Sequence, residues 1–332
     1  MNIQTQVSLA PYTTFGIGGN AEFFVEVRSV EELKEAVLWA KEKGISVTVL
    51  GGGSNVLVSD RGVTGLVICN KIEGITYEDE MVHVGAGVVF DDLVLETVEK
   101  GLWGLENLSA IPGTVGAAPI QNIGAYGVEV SSVIESVHTS HLTDGSERVF
   151  SNKACAFGYR DSFFKTEEGR NYIVTGVTFH LKKEGDPHIE YKDLQNYFID
   201  TPTQRQVRDA VIEIRSKKFP DWHKKGTGGS FFKNPIISKE QYEVLEKKYP
   251  ELPGFPVGDR VKVPLGWILD KVLHIKGVTN ERGTVGTYEG QALVIVNHGG
   301  ATAEEVDAFA QKIAEDVFGI TDIRIEREVR SI

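Results

Sequence analysis

The segment Gly51–Asn55, three glycines followed by a serine and an asparagine, directly follows a predicted strand, Ile45–Leu50. Because glycine has no Cβ, its backbone N–H groups can come within hydrogen-bonding distance of phosphate oxygens. Ser54 and Asn55 add side-chain donors. The segment therefore fits a phosphate-binding loop, and the alternative is an ordinary β-turn.

A second segment, Ile111–Gly127, is rich in glycine and other small residues and carries no charged side chain. It contains two neighbouring amides, Gln121 and Asn122. A flat apolar ring needs small walls of this kind, and its amide and carbonyl edge needs Gln, Asn or backbone partners. A glycine-rich loop that crosses a crowded interface is the alternative, but it explains the amides poorly. A loop for a pyrophosphate and a loop for a ring together predict a bound dinucleotide, for which a flavin is the natural candidate.

The segment Gly16–Ala21 matches the G-x-G-x-x-A pattern of dinucleotide-binding folds. A β-rich run, Ala21–Val27, follows it, whereas that pattern requires a helix whose N-terminus faces the pyrophosphate. We interpret the segment as a tight turn, so the dinucleotide is not expected to bind in the Rossmann manner.

The composition limits the kinds of partner. The 332 residues are 41% hydrophobic, enough for a sizeable core and two or three domains. The net charge of −12 argues against nucleic acid or an anionic membrane as the main partner. Cys69 and Cys155 show no C-x-x-C spacing, and His138 and His141 lie in a β region, so neither a disulfide framework nor a metal site is predicted. We expect a cytoplasmic location, because the chain shows no signal-peptide pattern and no apolar run near the roughly 20 residues of a membrane span.

In the last third of the chain, after about residue 203, predicted helices and strands alternate, and we interpret this part as an α+β unit. The apolar periodicity, caps and glycines predict helices near residues 29–44, 90–100, 203–218, 238–249, 264–272 and 302–318. The principal predicted strands are 21–27, 45–50, 172–181, 292–297 and 323–329.

Six motifs in one consistent order closely resemble those of UDP-N-acetylenolpyruvoylglucosamine reductases: Thr14–Gly16, Gly51–Asn55, Ile111–Gly127, Tyr159–Ser162, Gly229–Pro235 and Glu326–Arg330. The strings GSFFKNP and IPGTVGAAPIQNIGAYG are far more specific than a lone GxG. The resemblance implies an α+β fold with a two-lobed FAD-binding domain of the vanillyl-alcohol oxidase (PCMH) type and a smaller α+β substrate domain. It implies FAD-binding lobes at 1–70 and 71–200, with a tyrosine-bearing loop near 182–200. A substrate domain at 201–320 and a C-terminal strand at 321–332, carrying a catalytic Glu, complete the implied organisation.

The activity that this resemblance implies is that of a UDP-N-acetylmuramate dehydrogenase of peptidoglycan precursor synthesis. NADPH, the co-substrate, would reduce tightly bound FAD, and the UDP-sugar substrate would then take the hydride in the same cleft. Charge builds on the α-carbon and its carboxylate, so the reaction needs electrostatic stabilisation and a proton donor. A monomer is expected, with no metal, nucleic acid or membrane insertion. The alternatives are a flavin oxidase of the same fold and a non-catalytic UDP-sugar-binding protein.

Three residues carry the catalytic roles that the resemblance implies. Arg160 would grip the substrate carboxylate in the planar fork of a guanidinium, and a salt bridge to Asp161 is its alternative. Glu328 would polarise the same carboxylate, with its pKa raised above the ordinary value, and Glu326 is its rival on the same strand face. Ser230 would give a proton to the α-carbon. The plain alternatives are a solvated strand-end charge for the glutamates and an ordinary polar residue for Ser230.

The resemblance also implies ligand contacts. Lys218 would place a point charge near the diphosphate, Tyr191 would lie on a mobile loop over the nucleotide, and Arg215, Asn234 and Gln291 would complete the sugar-nucleotide site. A solvated helix-end cation and a surface tyrosine are the alternatives for the first two. The residues expected around FAD are Gly51, Gly52, Gly53, Ser54, Asn55, Ile111, Pro112, Gly113, Gly116, Ala117, Gln121, Asn122, Gly124 and Tyr126.

Overall fold

The computed structural model describes every residue from Met1 to Ile332. The helices are α1 Val30–Lys43, α2 Phe90–Glu99, α3 Lys192–Gln195, α4 Gln204–Lys218, α5 Lys239–Lys248, α6 Leu265–Trp267 and α7 Ala303–Thr321. The strands are β1 Gln4–Ser8, β2 Asn20–Val27, β3 Val47–Leu50, β4 Val56–Leu57, β5 Val63–Asn70, β6 Ile75–Glu78, β7 Met81–Gly85, β8 Gly124–Ala125, β9 Val128–Glu129, β10 Ile134–His141, β11 Glu147–Ser151, β12 Tyr172–His180, β13 Gly226–Ser230, β14 Ile236–Ser238, β15 Phe255–Val257, β16 Arg260–Lys262, β17 Val285–Thr287, β18 Val294–Asn297 and β19 Arg330–Ser331.

Helix α1 shows how closely a local pattern specifies an element. The Ser29 hydroxyl accepts a hydrogen bond from the backbone N–H of Glu32 and so caps the N-terminus, as the sequence predicts. Gly44 ends the helix at a φ of 65°, a left-handed conformation that glycine adopts without a Cβ clash. The buried stripe consists of Leu33, Ala36, Val37 and Ala40.

The first of two compact units comprises Met1–Ser8, Asn20–Gly53 and Val63–Arg215. One sheet has the order β1-β2-β5-β3, with β2, β5 and β3 parallel and β1 antiparallel, and α1 packs against it. The second sheet is antiparallel, with the order β11-β10-β12-β7-β6. Its core includes Phe179 of β12 and Phe90 of α2, both almost completely buried. Each sheet thus buries one hydrophobic cluster of its own.

The second compact unit comprises Leu9–Gly19, Ser54–Gly62 and Ser216–Ile332. Helix α7 packs against a sheet with the order β13-β18-β17, and α5 packs against a sheet with the order β14-β16-β15. The predicted capping box of Thr302 and Glu305 begins α7. Two early segments of the chain therefore share a core with its C-terminal third.

Strand β19 belongs to this second unit and pairs in parallel with β4, which comes from the early segment Ser54–Gly62. The C-terminal strand predicted at 323–329 is wrong in its position, because the strand at this end of the chain is Arg330–Ser331. Within residues 323–329 only Arg327 forms a bridge, to Phe232, and Glu328 and Val329 after it form a bend. The backbone groups of this segment form isolated hydrogen bonds, such as that between the Lys233 N–H and the Glu326 carbonyl, and do not pair regularly with a neighbouring strand. The alternating apolar residues of the segment therefore do not form a β-strand.

Two further predicted elements are shorter than the sequence suggests. The predicted strand 292–297 begins at Val294, because Val294 N–H turns back to the carbonyl of Gln291. The predicted helix 264–272 consists of α6 followed by a π-helical turn, Ile268–Val272. The division into FAD-binding lobes and a substrate domain stays a prediction. None of the helices combines the length and the apolar composition needed to cross a bilayer.

Candidate active site

The two glycine-rich loops lie against each other in the first unit. A Cβ on Gly51 would lie 2.7 Å from the Thr114 hydroxyl, and a Cβ on Gly52 would lie 2.8 Å from the Cα of Gly113. These separations are far below ordinary carbon contacts, so glycine is what allows the loops to approach so closely. The predicted phosphate-binding loop and the predicted ring-binding loop therefore form one surface.

This surface suits the pyrophosphate and ring of a bound FAD. The backbone N–H groups of Gly51 and Gly52 donate to no protein acceptor, so they are available to an anion, as such glycine turns are in other phosphate sites. Gly113, with a φ of 118°, also needs the conformational freedom of glycine. Ala117 is exposed on the ring-binding loop, and because its side chain has no polar atom, any hydrogen bond from it to a ring would come from its backbone. The donor set and the small side chains thus fit FAD.

Asn122 does not offer its side-chain amide to a ligand. Its Nδ2 donates to Glu129 Oε2 at 2.8 Å and to the Gly158 carbonyl at 3.0 Å. Its Oδ1 accepts from the backbone N–H of Ser131 at 3.1 Å, and the residue is completely buried. Protein groups thus use both donors and the Oδ1 of this amide, and the predicted contact of Asn122 with the flavin stays a prediction.

Arg160 occupies a tight turn in the first unit. Gly158 and Asp161 bond to each other through both backbone groups, which puts Arg160 at the tip with a φ of 52°. The guanidinium donates to the carbonyls of Asn122 at 3.4 Å and Gly124 at 2.5 Å, which ties it to the ring-binding loop. A left-handed conformation is uncommon for arginine, and such strain tends to persist where surrounding bonds enforce it. The structure thus places the predicted catalytic arginine beside the predicted flavin loop.

Arg215 connects the two ends of the ring-binding loop. Its Nε donates to the Ala110 carbonyl at 3.2 Å, and its guanidinium also hydrogen-bonds to the Tyr126 hydroxyl. Burial raises the pKa of Tyr126 to about 12, so its hydroxyl stays protonated at neutral pH. Burial likewise lowers the pKa of Arg215. The predicted second-line residues Arg215 and Tyr126 are therefore hydrogen-bonded partners.

Tyr191 lies at the N-terminus of α3 in the segment predicted to be a mobile loop. Its ring packs edge-to-face against Tyr126, with centroids 5.4 Å apart, although the residue is 45% exposed. Leu194, one turn later, is fully buried against Val207 and Val211 of α4. In this structure the predicted loop is docked on the first unit by an aromatic and an aliphatic contact.

Ser230 and Glu328 lie on neighbouring backbone segments of the second unit. The backbone N–H of Glu328 donates to the carbonyl of Phe231, the residue after Ser230, at 2.8 Å. Ser230 follows a register shift in β13, and Gly229 before it has a φ of 78°. Such a bulge changes the direction of a side chain at a strand end, where sites are often built. Asn55 joins the same group, since its Nδ2 donates to the Glu328 carbonyl at 3.1 Å.

Glu326 has surroundings that distinguish it from Glu328. Its side chain is 74% exposed and pairs with Lys233 at 2.9 Å, whereas Glu328 is half-buried. Glu326 thus forms a solvent-exposed ion pair, which agrees with the alternative interpretation of this glutamate as a solvated charge. The structure therefore favours Glu328 over Glu326 for the predicted polarising role.

The remaining predicted sugar-nucleotide contacts also belong to the second unit. Asn234 Oδ1 accepts from the N–H of Leu265 at 2.9 Å, and this bond does not use the donor hydrogens of its amide nitrogen. A Cβ on Gly266 would lie 2.7 Å from Gln291 Oε1, so Gln291 packs tightly over the start of α6. Lys218 is half-buried at the end of α4. These three lie in the unit that holds Ser230, whereas Arg160, Tyr191 and Arg215 lie in the first unit.

Comparison with known proteins identifies the family. Residues 21–150 match a sequence family described as an FAD binding domain, and residues 221–332 match the C-terminal domain of UDP-N-acetylenolpyruvoylglucosamine reductase. The reductase of that name from Bdellovibrio bacteriovorus is 44% identical over 338 residues, 99% of each chain. The chain belongs to the UDP-N-acetylenolpyruvoylglucosamine reductase family. A relative of the same name from Pseudomonas aeruginosa is 41% identical over 99% of this chain and 98% of its own.

A crystal structure of this reductase family, from Thermus caldophilus, covers 100% of this chain and 99% of its own, with a TM-score of 0.72 and 28% sequence identity. The family predicted from the motifs is therefore confirmed, together with the α+β fold and its FAD-binding domain. The assignment to a family of FAD-dependent oxidoreductases is confirmed as well. The roles of individual site residues stay predictions. No group of three or more His, Cys, Asp or Glu side chains is arranged to hold a metal ion.

Three residues beside the reductase-family site were missed at the sequence level. Asp91 binds Arg208 and the N–H of Ala110, and Asn107 donates from its Nδ2 to the carbonyls of Tyr126 and His188. Arg208 had a detectable signal, because it lies seven positions before Arg215 and therefore on the same face of α4. Asp91 and Asn107 had none, since an acidic residue in a first helical turn and an amide in a loop are both ordinary.

Proposed function

We propose that this chain catalyses the NADPH-dependent reduction of UDP-N-acetylglucosamine enolpyruvate to UDP-N-acetylmuramate through bound FAD. The observation that carries the proposal most is the backbone bond from the Glu328 N–H to the carbonyl of Phe231, the residue after Ser230, within the region that matches the reductase C-terminal domain. The fold of the first unit, with two contiguous glycine-rich loops, supports the cofactor. Full-length similarity to reductases supports the substrate.

The chemistry divides between cofactor and protein. FAD, held by the two glycine-rich loops, would supply the hydride-transfer chemistry between NADPH and the β-carbon of the enolpyruvyl group. Ser230 gives a proton to the α-carbon, so that one hydride and one proton saturate the double bond, and the serine recovers its proton from water. A serine is a weak acid, and it can serve only where the neighbouring carboxylate carries the developing charge of an enolate.

Arg160 and Glu328 stabilise that charge. The guanidinium remains protonated throughout and binds the substrate carboxylate, while its bonds to the carbonyls of Asn122 and Gly124 orient it. Glu328 acts through a protonated carboxyl, since a bare carboxylate would repel that of the substrate. Lys218, Asn234 and Gln291 bind the sugar nucleotide, and Tyr191 closes over it. We further propose that the protein acts as a monomer in the cytoplasm.

An anaerobic experiment tests this function. NADPH is added to the FAD-loaded protein until the visible absorbance of the flavin bleaches, and UDP-N-acetylglucosamine enolpyruvate is then added. The proposal predicts that one equivalent of the UDP-sugar restores the absorbance and yields one equivalent of UDP-N-acetylmuramate. Rapid turnover in air without the UDP-sugar would indicate an oxidase instead, and binding without reoxidation would indicate a binding protein.

Variants then test the residues. Ser230→Ala should leave bleaching by NADPH intact and remove most of the reoxidation, and Ser146→Ala, at an exposed hairpin turn, is the matched control. Glu328→Gln should retain more activity than Glu328→Ala, because the amide still donates a hydrogen bond. Equal loss in both Glu328 variants would argue that the carboxyl does not act as a donor.

A further inference from the structure

Asn122 is bonded both to the predicted catalytic arginine and to the turn that carries it. Its backbone carbonyl accepts from Arg160 Nη1 at 3.4 Å, and its side-chain Nδ2 donates to the carbonyl of Gly158, at 3.0 Å, in the turn that carries Arg160. One buried residue thus contacts both the guanidinium and the backbone that supports it.

The amide of Asn122 is itself held in one orientation. Glu129 Oε2 accepts its second N–H at 2.8 Å, and the N–H of Ser131 donates to its Oδ1 at 3.1 Å. The residue is completely buried and has a φ of 45°, a left-handed conformation that Asn tolerates better than most residues. A side chain with every polar group satisfied and no exposure is suited to fixing geometry rather than to contacting a ligand.

Lys165 restrains the same arginine from the main-chain side. Its Nζ donates to the carbonyl of Arg160 at 2.6 Å. Arg160 has a φ of 52°, so its backbone conformation needs support from its surroundings. The side chain of Asn122 and the ammonium group of Lys165 provide that support at Gly158 and at Arg160.

We infer that Asn122 is a positioning residue for Arg160, aided by Lys165, and that it sets the direction in which the guanidinium meets the substrate carboxylate. This inference rests on the proposed function, because it assigns Arg160 to that carboxylate. Recognition of a carboxylate by an arginine is directional, and a displacement of about 1 Å can cost on the order of 100-fold in rate. Asn122 itself touches neither substrate nor reacting atoms.

The test uses Asn122→Gly in the FAD-loaded protein, because glycine tolerates the left-handed backbone while the whole side chain, with its amide, is removed. We expect normal FAD content and normal bleaching by NADPH, but a reoxidation by the UDP-sugar that is about 10- to 100-fold slower. The dissociation constant of the UDP-sugar, measured by titrating the oxidised flavin spectrum, should rise. Loss of FAD or of bleaching by NADPH would overturn the inference, since those steps do not require Arg160 to be aligned with the carboxylate.

A double-mutant cycle separates positioning from a general structural role. In an Arg160→Ala background, Asn122→Gly should slow reoxidation no further, because the residue through which it acts is gone. A further slowing equal to that in the wild type would overturn the inference. Should Asn122→Gly not fold, Lys165→Met replaces it in both arms of the cycle, with the same expectations.

A charge variant gives a rescue. Asn122→Asp keeps the size of the side chain but turns a carboxylate towards that of Glu129 and towards the Gly158 carbonyl, so reoxidation should slow as in Asn122→Gly. Adding Glu129→Gln supplies an amide donor to Asp at position 122 and should recover part of the rate, whereas no recovery would contradict the assigned contacts.

Failure of the wild type to be reoxidised would overturn the proposed function instead. In that case the positioning role is tested by hydrogen exchange of the Asp161 backbone amide, which donates to the Gly158 carbonyl. If Asn122 holds this turn, that amide should exchange faster in Asn122→Gly than in the wild type.

Discussion

Asp91→Asn is the most informative perturbation of the first unit. The carboxylate accepts from Arg208 Nη1 at 2.6 Å and Nη2 at 3.0 Å, and one of its oxygens also accepts from the Ala110 N–H at 2.6 Å. Ala110 directly precedes the ring-binding loop and has a φ of 57°. The pair therefore joins α2 to α4 and anchors the start of that loop.

The size of the effect follows from burial. The Arg208 side chain is only 7% exposed, so neutralising its partner leaves a guanidinium in a poorly solvated position. Breaking a fully buried pair costs about 3–5 kcal/mol, and the 31% exposure of Asp91 puts the expected loss below that range, at about 2–3 kcal/mol. The new amide nitrogen would also face guanidinium donors. FAD affinity should fall as well, because the Ala110 N–H loses its charged acceptor.

Urea unfolding of the FAD-free protein, followed by circular dichroism, measures this loss. Glu99→Gln is the matched control, because Glu99 pairs with Arg205 at 3.2 Å between the same two helices, but with both side chains about half exposed. That pair should contribute about 0–1 kcal/mol. Equal losses in Asp91→Asn and Glu99→Gln would refute the argument that burial makes the Asp91 pair important.

The dependence on pH gives an independent check. Burial raises the pKa of Asp91, but hydrogen bonds from Arg208 and the Ala110 N–H outweigh it and hold that pKa below its usual value. A carboxyl whose pKa is lower in the folded than in the unfolded chain stabilises the fold above the unfolded value of about 3.9, and this stability is lost as pH falls through the folded-state pKa. The difference between wild type and Asp91→Asn should therefore shrink as the pH falls below about 4. A difference that stays constant to pH 3 would contradict this assignment.

Three further substitutions test other parts of the structure. Gly52→Ala should weaken FAD binding in a fluorescence titration, because its Cβ would lie 2.8 Å from the Cα of Gly113 and separate the two loops; unchanged affinity would contradict their contact. Gly319→Ala, in α7 with open space around the new Cβ, should raise the free energy of unfolding by about 0.5–1 kcal/mol, and a loss of stability would show an unrecognised contact. Thr302→Ala removes the hydroxyl that accepts from the Glu305 N–H and should cost about 1 kcal/mol in the same urea assay, with Thr302→Ser largely preserving stability.

Local pattern predicted most helices well because their determinants are close in sequence. The Ser29 cap, the Gly44 terminus and the Thr302 capping box occur where the sequence predicts them. The predicted strand at 323–329 is wrong because pairing depends on a partner, and β4, the partner of Arg330 and Ser331, lies more than 270 positions earlier in the chain. No periodicity within one segment reports which distant segment will lie beside it.

The candidate site divides in the same way. The types and order of the motifs were sufficient to predict the family, since the glycine-rich loops, Arg160, Ser230 and Glu328 could be read directly from the chain. The use of each polar group could not, and Asn122 shows why. From the sequence its amide is predicted to contact a ligand, but in the fold the amide nitrogen donates both of its hydrogens to Glu129 and to the carbonyl of Gly158.

The sequence alone determined the reactive groups, the helices with local caps and the membership in a reductase family. Only the tertiary structure decided that Asn55 bonds to Glu328, that Leu9–Gly19 and Ser54–Gly62 share a core with the C-terminal third, and that Asp91 faces Arg208. The physical reason is the range of the interactions. A cap or an amphipathic stripe is satisfied within a few residues, whereas a buried polar group takes its partner from whichever distant segment the packing of the core brings near.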